Sequence, residues 1–284
     1  MLPVRPFATG PSPADHRVWL ARGPSLGGAF PEDWEDWRGS TVPLAAQVAA
    51  LVHVFHAELL PELLGHLASI PVPFDLIVTN ATGIDLSVDI DQLPTVERCL
   101  ILRVENRGRD LWPLVQVINA GLLEPHELVI KVHTKRSHWR KGHRQLAGTG
   151  ASWRAQLLSA LLGDQANTRQ ILAAFRGDPH LGMVTADGSV LGPAFWGRNE
   201  RATATLLERL CLELRPDALR FPAGSMYWTR GRVLRRLRDL RMTIDDFEAE
   251  AGQVDGTTAH ALERVIGLLA SDAGLSITER SSLS

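Results

Sequence analysis

Short apolar runs alternate with amphipathic segments from residue 44 onward, and this alternation constrains the fold more than any other feature of the sequence. Phe74–Thr79, Cys99–Val104 and Leu128–Val132 are largely apolar at consecutive positions, which is typical of strands buried on both faces. Glu58–Ile70 and Leu111–Ala120 instead repeat apolar residues at helical spacing. Such strands alternating with helices predict an α/β fold, a mainly parallel central sheet flanked by helices.

The alternation continues through the C-terminal half. Further strands are predicted at Val48–Phe55, Leu181–Thr185 and Met226–Trp228, and further helices at Trp153–Leu162, Arg201–Leu214, Arg232–Leu240 and Thr257–Leu269. Residues 1–43 show no hydrophobic period and are rich in Gly and Pro. We therefore expect an irregular lead-in over residues 1–43 and a single domain over residues 44–284.

Composition excludes several classes of protein. With 284 residues, 45% of them hydrophobic, the chain has enough apolar side chains for a buried core and is not disordered throughout. A formal net charge of −2 argues against nucleic acid as a partner, and Cys99 and Cys211 lack the spacing of a zinc site or a disulfide framework. Because the sequence shows neither a bilayer-spanning apolar run nor the apolar segment of a signal peptide, we expect a cytoplasmic protein.

Polar residues at the ends of the predicted strands are the first candidates for a site, because ligands bind outside the carboxyl ends of strands in open α/β sheets. His53 ends the first strand, and Thr79 ends the second, where a small polar group can bind a base or a ribose. The third strand runs into Asn106-Arg107-Gly108-Arg109-Asp110, just before a predicted helix.

Within this last segment, Gly108 permits a tight turn or a close approach of the backbone to a ligand. Asp110 can cap the helix that follows, and an arginine such as Arg109 beside a helix N-terminus favours a phosphate. The alternative is an ordinary strand–turn–helix junction whose charges face water.

The lysines are concentrated at the end of the fourth strand. The chain has only three, Lys131, Lys135 and Lys141, and elsewhere it carries its positive charge as arginine. Lys131, His133 and Lys135 share one face of the strand, since alternate side chains of a strand point the same way. Lys131 lies in an apolar run, so it needs a carboxylate or a phosphate as its partner. We expect a phosphate clamp, with a solvated basic loop or a structural ion pair as the alternatives.

The C-terminal third holds a second group of candidates. Gly224 and Trp228 combine small and aromatic residues of the kind that contact sugar rings. An acidic stretch follows, containing Glu248, Glu250 and Asp255, and it leads into a helix with His260 on its first turn. A carboxylate in this position can take a proton from an acceptor hydroxyl while the cationic clamp stabilises a departing diphosphate.

Seven stretches, in order along residues 44–275, resemble the rhamnan synthesis protein F family, bacterial proteins associated with building rhamnose-containing and other surface polysaccharides. The stretches are LVHVFHAELLPELL (51–64), PFDLIVTN (73–80), NRGRDLWPL (106–114), LVIKVHTKRS (128–137), WRAQLLSALLG (153–163), FPAGSMYWTR (221–230) and DFEAEAGQVDGTTAHALER (246–264). HTKRS and the EAEAGQVDGTTAHALER run are the specific ones.

The resemblance implies a glycosyltransferase of the GT-A kind, a Rossmann-like sandwich that takes a nucleotide-diphosphate sugar as donor. The implied acceptor is a growing polysaccharide or lipid-linked glycan, which would bring the protein to the inner face of the membrane. The expected donor-binding residues are His53, Thr79, Asn106, Gly108, Arg109, Asp110, Lys131, His133 and Lys135, and the expected acceptor or sugar residues are Gly224, Trp228 and His260.

Many enzymes of this kind hold a divalent metal with Asp-x-Asp, and the matching position here is His133-Thr134-Lys135. We therefore expect Lys135, with His133 and Lys131, to replace the charge of the metal. The base on the acceptor side is commonly an acidic residue just before a late helix. By position this is Asp255, followed by Glu250 and Glu248.

Other classes of function remain open at this point. A non-catalytic module that binds sugar nucleotides or glycans would show the same fold without turnover. A metal-dependent phosphate hydrolase would need a third ligand beside His53 and His56, and a single-stranded nucleic-acid binder would need more aromatic residues in the basic stretch than Trp139. The sequence identifies neither the base, the sugar, the acceptor nor the oligomeric state.

Overall fold

The structure is a computed structural model that describes residues 47–134 and 150–283. Its strands are β1 (Val48–Val54), β2 (Phe74–Asn80), β3 (Val96–Arg103), β4 (Leu128–His133), β5 (Leu181–Thr185), β6 (Val190–Leu191), β7 (Phe221–Pro222), β8 (Tyr227–Arg230) and β9 (Ser276–Glu279). Its α-helices are α1 (Leu60–Leu67), α2 (Leu111–Asn119), α3 (Gly150–Leu162), α4 (Gln165–Gly177), α5 (Glu200–Arg209), α6 (Gly231–Arg235) and α7 (Thr258–Asp272).

In the described residues, seven strands form one sheet in the order β3-β2-β1-β4-β8-β5-β9, and β6 pairs with β7 in a separate ribbon. Every pairing in the large sheet is parallel except those of β8, which runs antiparallel to both β4 and β5. The predicted α/β fold with a mainly parallel sheet flanked by helices is confirmed. The strand order reverses direction between β1 and β4, and the carboxyl ends at such a switch point form a crevice for ligands.

Two hydrophobic clusters cover the two faces of the sheet. Helices α1, α3 and α4 pack on one face, and α2, α5, α6 and α7 pack on the other. Along β4, Ile130 and Val132 belong to the first cluster and Val129 to the second. Because side chains alternate along a strand, Lys131 and His133 point to the second face, where α2 and α7 lie.

Local backbone conformation changes some of the predicted helices. The helix predicted over Arg201–Leu214 ends at Arg209, because Cys211 adopts a positive φ of 56° that a helix does not allow. The helix predicted over Arg232–Leu240 consists of α6 followed by a 3₁₀ turn, Arg236–Leu240. Helix α4 and strand β9 were not predicted. None of the helices in the described ranges is long and apolar enough to cross a membrane.

A buried charged cluster fixes the amino-terminal edge of the sheet, far from the carboxyl ends. Asp75 in β2 is fully buried and accepts hydrogen bonds from Arg98 of β3 (Nε, 3.0 Å) and from Nε2 of His126 (2.7 Å), which precedes β4. Burial alone would raise the pKa of Asp75, but the hydrogen bonds and charges of His126 and Arg98 hold that pKa below its ordinary value. The carboxylate therefore stays ionised and ties together three segments of the sheet.

We predict that Asp75→Ala lowers the free energy of unfolding by about 3–5 kcal/mol, because it leaves buried donors and a cation without a partner. Urea unfolding of the variant measures this loss. The matched control is Asp85→Ala, which removes a carboxylate paired with Arg103 on the surface, where the side chains are 82% and 67% exposed. The control should lose less than about 1 kcal/mol. Equal losses in the two variants would contradict a special role for Asp75.

Candidate functional site

A buried ion pair lies beneath the carboxyl ends of the strands. Lys131 of β4 is 1% exposed, and its ammonium group donates hydrogen bonds to the carboxylate of Asp110 and to both the carbonyl oxygen (2.9 Å) and the hydroxyl oxygen (2.8 Å) of Ser225. These three acceptors match the three N–H donors of a lysine. The prediction that Lys131 contacts the donor phosphates is therefore wrong for this arrangement, and the alternative of a structural ion pair describes it.

The carboxylate of Asp110 is ionised despite its burial. Burial alone would raise the pKa of Asp110, but the charges of His133 and Lys131, with hydrogen bonds from Lys131 and Ser225, hold that pKa well below its ordinary value. Asp110 stands at the N-cap position of α2, yet its side chain makes no capping hydrogen bond, which corrects the predicted role as a cap. The physical reason is the lysine, a stronger partner for a buried carboxylate than a backbone N–H.

The turn at Gly224 and Ser225 joins this ion pair to α7. Both residues have positive φ angles, 92° and 57°, and a side chain at position 224 would come within 2.8 Å of Trp153. The turn presents the carbonyl of Gly224 to Nε2 of His133 (3.0 Å) and the backbone N–H of Gly224 to Glu263 (3.0 Å). The predicted site residues Gly224 and His133 are therefore in contact, and each helps to position the other.

Two further predicted donor residues form a buried pair on the same face of the sheet. Nδ1 of His53 is 3.0 Å from Oγ1 of Thr79. Burial lowers the pKa of His53 to about 4, a shift that Asp110 opposes and Lys131 reinforces. His53 is therefore neutral at physiological pH. Neither residue lines the cavity described below, so their predicted contact with the base or ribose remains a prediction.

The segment from Asn106 to Asp110 contacts the acidic stretch before α7. Arg109, which has a positive φ of 57°, donates its backbone N–H to Glu250 (3.0 Å) and its guanidinium to the carbonyl of Gln253. Gly108 is needed for packing, because a side chain there would come within 2.4 Å of the ring of Phe247. The backbone at Gly108 thus approaches an aromatic side chain closely, and its predicted contact with a ligand remains a prediction. Asn106 is exposed.

The acidic residues divide into different roles. Both carboxylate oxygens of Glu248 accept from the backbone N–H of Thr258 (3.1 and 3.0 Å), so Glu248 caps the N-terminus of α7. Asp255 accepts hydrogen bonds from the side chain of Asn199 (2.6 Å) and the backbone N–H of Arg198 (2.9 Å). Burial alone would raise the pKa of Asp255, but the hydrogen bonds from Asn199, Arg198 and Gly256 and the charge of His260 lower it.

A cavity of about 490 Å³ opens between these segments. Its polar lining includes five predicted site residues, Arg109, Asp110, Gly224, Asp255 and His260, together with Ser189, Ser225, Glu263 and Arg264, which were not predicted as site residues. Trp153, Phe195 and Phe221 form an aromatic wall. Glu263 and Arg264 lie one turn after His260 on α7, so helical spacing was the signal that could have identified them.

Trp228 does not contribute to this cavity, so its prediction as a sugar-binding residue is wrong. It is fully buried in the cluster on the opposite face of the sheet, and its indole N–H donates to the carbonyl of Leu161 (3.0 Å). The cause is the alternation of side chains along β8, which places Tyr227 on the face of the site and Trp228 on the other. Lys135 lies outside the described residues.

Within residues 47–134 and 150–283, no group of three or more His, Cys, Asp or Glu side chains is arranged to hold a metal ion. The prediction that cationic side chains replace a metal remains a prediction, because Lys135 belongs to the other part of the chain.

Comparisons with known proteins match most of the chain. The profile of the rhamnan synthesis protein F family matches residues 36–275. The chain is 33% identical over 237 residues to "Uncharacterized protein WxcX" of Xanthomonas campestris pv. campestris strain B100, and equally to WxcX of strain ATCC 33913. The alignment covers 80% of this chain but 32% of each relative, so the chain spans about a third of the length of the curated relatives that it matches.

The ion pair between Lys131 and Asp110 yields a test of its structural role. We predict that Lys131→Met lowers the free energy of unfolding by about 3–5 kcal/mol, because Asp110 is left buried without its cation. The double variant Asp110→Asn/Lys131→Met should recover at least half of that loss, since it removes both charges. Denaturant unfolding of the single and double variants measures the coupling, and strictly additive losses would contradict it.

A control for that cycle is Arg236→Met. Arg236 pairs with Asp272 near the surface, where both side chains are 34% exposed. Water screens this pair, so its loss should cost less than about 1 kcal/mol.

The lowered pKa of His53 predicts a pH dependence of stability. The unfolded chain binds a proton near the ordinary pKa of 6.5, whereas folded His53 binds it only near 4, so acid favours the unfolded state between these values. The contribution of His53 should fall by about 2 kcal/mol between pH 7 and pH 5. Unfolding of the wild type and of His53→Gln at both pH values tests this. An identical pH dependence in the two proteins would refute it.

Proposed function

Because this chain belongs to the rhamnan synthesis protein F family, whose name refers to the synthesis of a polysaccharide, we propose that it is a glycosyltransferase. It transfers a sugar from a nucleoside-diphosphate donor to a growing cell-surface polysaccharide or lipid-linked glycan. Rhamnose, the sugar in the family's name, is the first candidate. The proposal concerns the part of the WxcX relatives that this chain matches, since the alignment covers 32% of each relative.

The observation that carries this proposal is the composition of the cavity. It lies at the carboxyl ends of the parallel strands, the place where open α/β sheets bind ligands. An aromatic wall of Trp153, Phe195 and Phe221 stands with the carboxylates of Asp255 and Glu263 around one space. Aromatic faces pack against the apolar faces of a sugar ring, while carboxylates accept hydrogen bonds from its hydroxyls.

Two arginines in the cavity supply positive charge for a diphosphate. Arg109 stands just before α2, and Arg264 lies on α7 with its guanidinium 4.5 Å from the centre of the ring of Phe221. The backbone carbonyls of His260 (2.8 Å) and Phe195 (3.0 Å) accept hydrogen bonds from Arg264 and fix its plane. A fixed guanidinium stabilises the charge that develops on a departing phosphate. This arrangement supports donor binding of the kind expected for a GT-A enzyme.

A second candidate function is a non-catalytic module that binds a sugar nucleotide or a glycan. The observation that favours it is the internal use of the predicted carboxylates: Asp110 binds Lys131, Glu248 caps α7 and Asp255 holds the segment at Asn199. Groups committed in this way position the backbone. Turnover distinguishes the two candidates.

The test begins with the thermal stability of the protein in the presence of dTDP, UDP and GDP sugars. A selective donor at 100 times its Kd adds about 2.7 kcal/mol, which raises Tm by several degrees. The selected donor is then offered with lipid-linked acceptors, with and without a chelator, and transfer and donor hydrolysis are measured. We expect turnover without added metal. Binding without any turnover would favour the binding module, and absence of binding would refute both candidates.

A cavity-filling variant locates the binding. Ala194 is exposed and lines the cavity, so Ala194→Trp should fold normally. Its Kd for the donor, derived from the donor-induced shift in Tm, should rise at least tenfold. The matched control is Ala173→Trp on α4, exposed on the opposite side of the sheet, which should leave the shift unchanged.

A further inference from the structure

We infer that Glu263, in place of Asp255, is the general base that takes the proton from the acceptor hydroxyl. The inference rests on the proposed glycosyl transfer and names the residue that moves its proton. Among the described residues, three carboxylates line the cavity, those of Asp110, Asp255 and Glu263. Their hydrogen bonds differ, and so does the ability of each carboxylate to accept a proton.

Asp110 and Asp255 are already engaged by strong donors. Asp110 is bound by the ammonium group of Lys131, and its charge is neutralised there. Asp255 accepts from two N–H groups at 2.6 and 2.9 Å, one on each carboxylate oxygen, in the segment that wraps around it. Gly197 shows how closely this segment wraps, since a side chain there would come within 2.4 Å of the carboxylate. Both carboxylates are stabilised in the ionised form, which makes them weak bases.

Glu263 is held differently. One oxygen, Oε1, accepts the backbone N–H of Gly224 at 3.0 Å, and the other, Oε2, accepts one long hydrogen bond, at 3.4 Å, from Nη1 of its ion-pair partner Arg264, whose hydrogen bond to the carbonyl of His260 is shorter, at 2.8 Å. The side chain of Glu263 is 16% exposed and lines the cavity, so Oε2 has acceptor capacity left for a ligand. A general base needs this combination of a fixed carboxylate and an accessible oxygen.

The surroundings of Glu263 fix its position. Its anchor, Gly224, belongs to the positive-φ turn whose other atoms hold Lys131 and His133. The carboxylate is therefore tied through one short turn to the ion pair beneath the site. The aromatic residues Phe221 and Trp153 line the same cavity and exclude water on that side. A base held on a helix by such a turn is preorganised for one direction of approach.

The reaction step balances as a direct displacement. The hydroxyl oxygen of the acceptor forms a bond to the anomeric carbon of the donor sugar while its proton passes to Oε2 of Glu263. The bond from the anomeric carbon to the diphosphate oxygen breaks, and its electron pair leaves with the nucleoside diphosphate. The product therefore has the opposite anomeric configuration to the donor.

The test compares Glu263→Gln, Asp255→Asn and the surface control Glu208→Gln, using the donor and acceptor found in the binding and transfer assays. A glutamine at position 263 still accepts the N–H of Gly224, so the fold and the donor-induced shift in Tm should be retained. We expect kcat to fall at least 100-fold in Glu263→Gln, with the acidic limb of the pH profile of kcat/KM lost, and Glu263→Asp to restore part of kcat. Asp255→Asn should keep that limb and lose less than tenfold in kcat.

The outcomes separate the inference from the proposed function. A wild type that turns over no nucleotide sugar overturns both. An active wild type whose Glu263→Gln variant keeps kcat within threefold, or keeps the acidic limb, overturns the inference alone. Retention of the anomeric configuration in the product, measured by NMR, also overturns it. Loss of the limb in Asp255→Asn but not in Glu263→Gln returns the role to Asp255.

Discussion

The ion pair between Lys131 and Asp110 is the interaction on which the rest of the site depends. A lysine inside an apolar strand is costly unless its charge is matched, and here the match comes from the residue that begins α2. Because the remaining donors of Lys131 bind Ser225, the same ammonium group fixes the turn at Gly224 and Ser225. Three segments distant in sequence are thereby held at the carboxyl end of β4, and the position of Glu263 follows from that turn.

Charge in this protein is arranged in two layers with different tasks. The lower layer is the buried ion pair of Lys131 and Asp110, whose charges satisfy one another. The upper layer, around the cavity, contains Glu263 and Arg264, whose side chains are 16% and 9% exposed and line the open space. Low dielectric strengthens the buried ion pair, while the partly exposed carboxylate of Glu263 remains available to a substrate. Such a division is expected of a site that must hold its geometry while it exchanges protons and ligands.

The acidic stretch before α7 shows why a cluster of carboxylates does not identify a catalytic base. Glu248 serves as a helix cap, Glu250 supports the strained backbone of Arg109, and Asp255 holds the segment around Asn199. At Asp255 the hydrogen bonds lower the pKa and so weaken the carboxylate as a base. Glu248 and Glu250 do not line the cavity. The clustering reflects the demands of a tight junction between a loop and a helix N-terminus, where negative charge is favourable.

The sequence by itself determined the fold class, the positions of most strands and the family, because apolar periodicity and contiguous motifs are local properties. It also selected Asp110, because polar residues at strand carboxyl ends lie near ligands in a parallel sheet, and it selected Gly224, Asp255 and His260 from the motifs of the C-terminal third. It could not determine which carboxylate pairs with Lys131, nor that Trp228 faces the opposite core. Those facts depend on strand register and on the Gly224–Ser225 turn. Contacts between residues about 20 to 140 positions apart are decided by packing, so only the tertiary structure shows them.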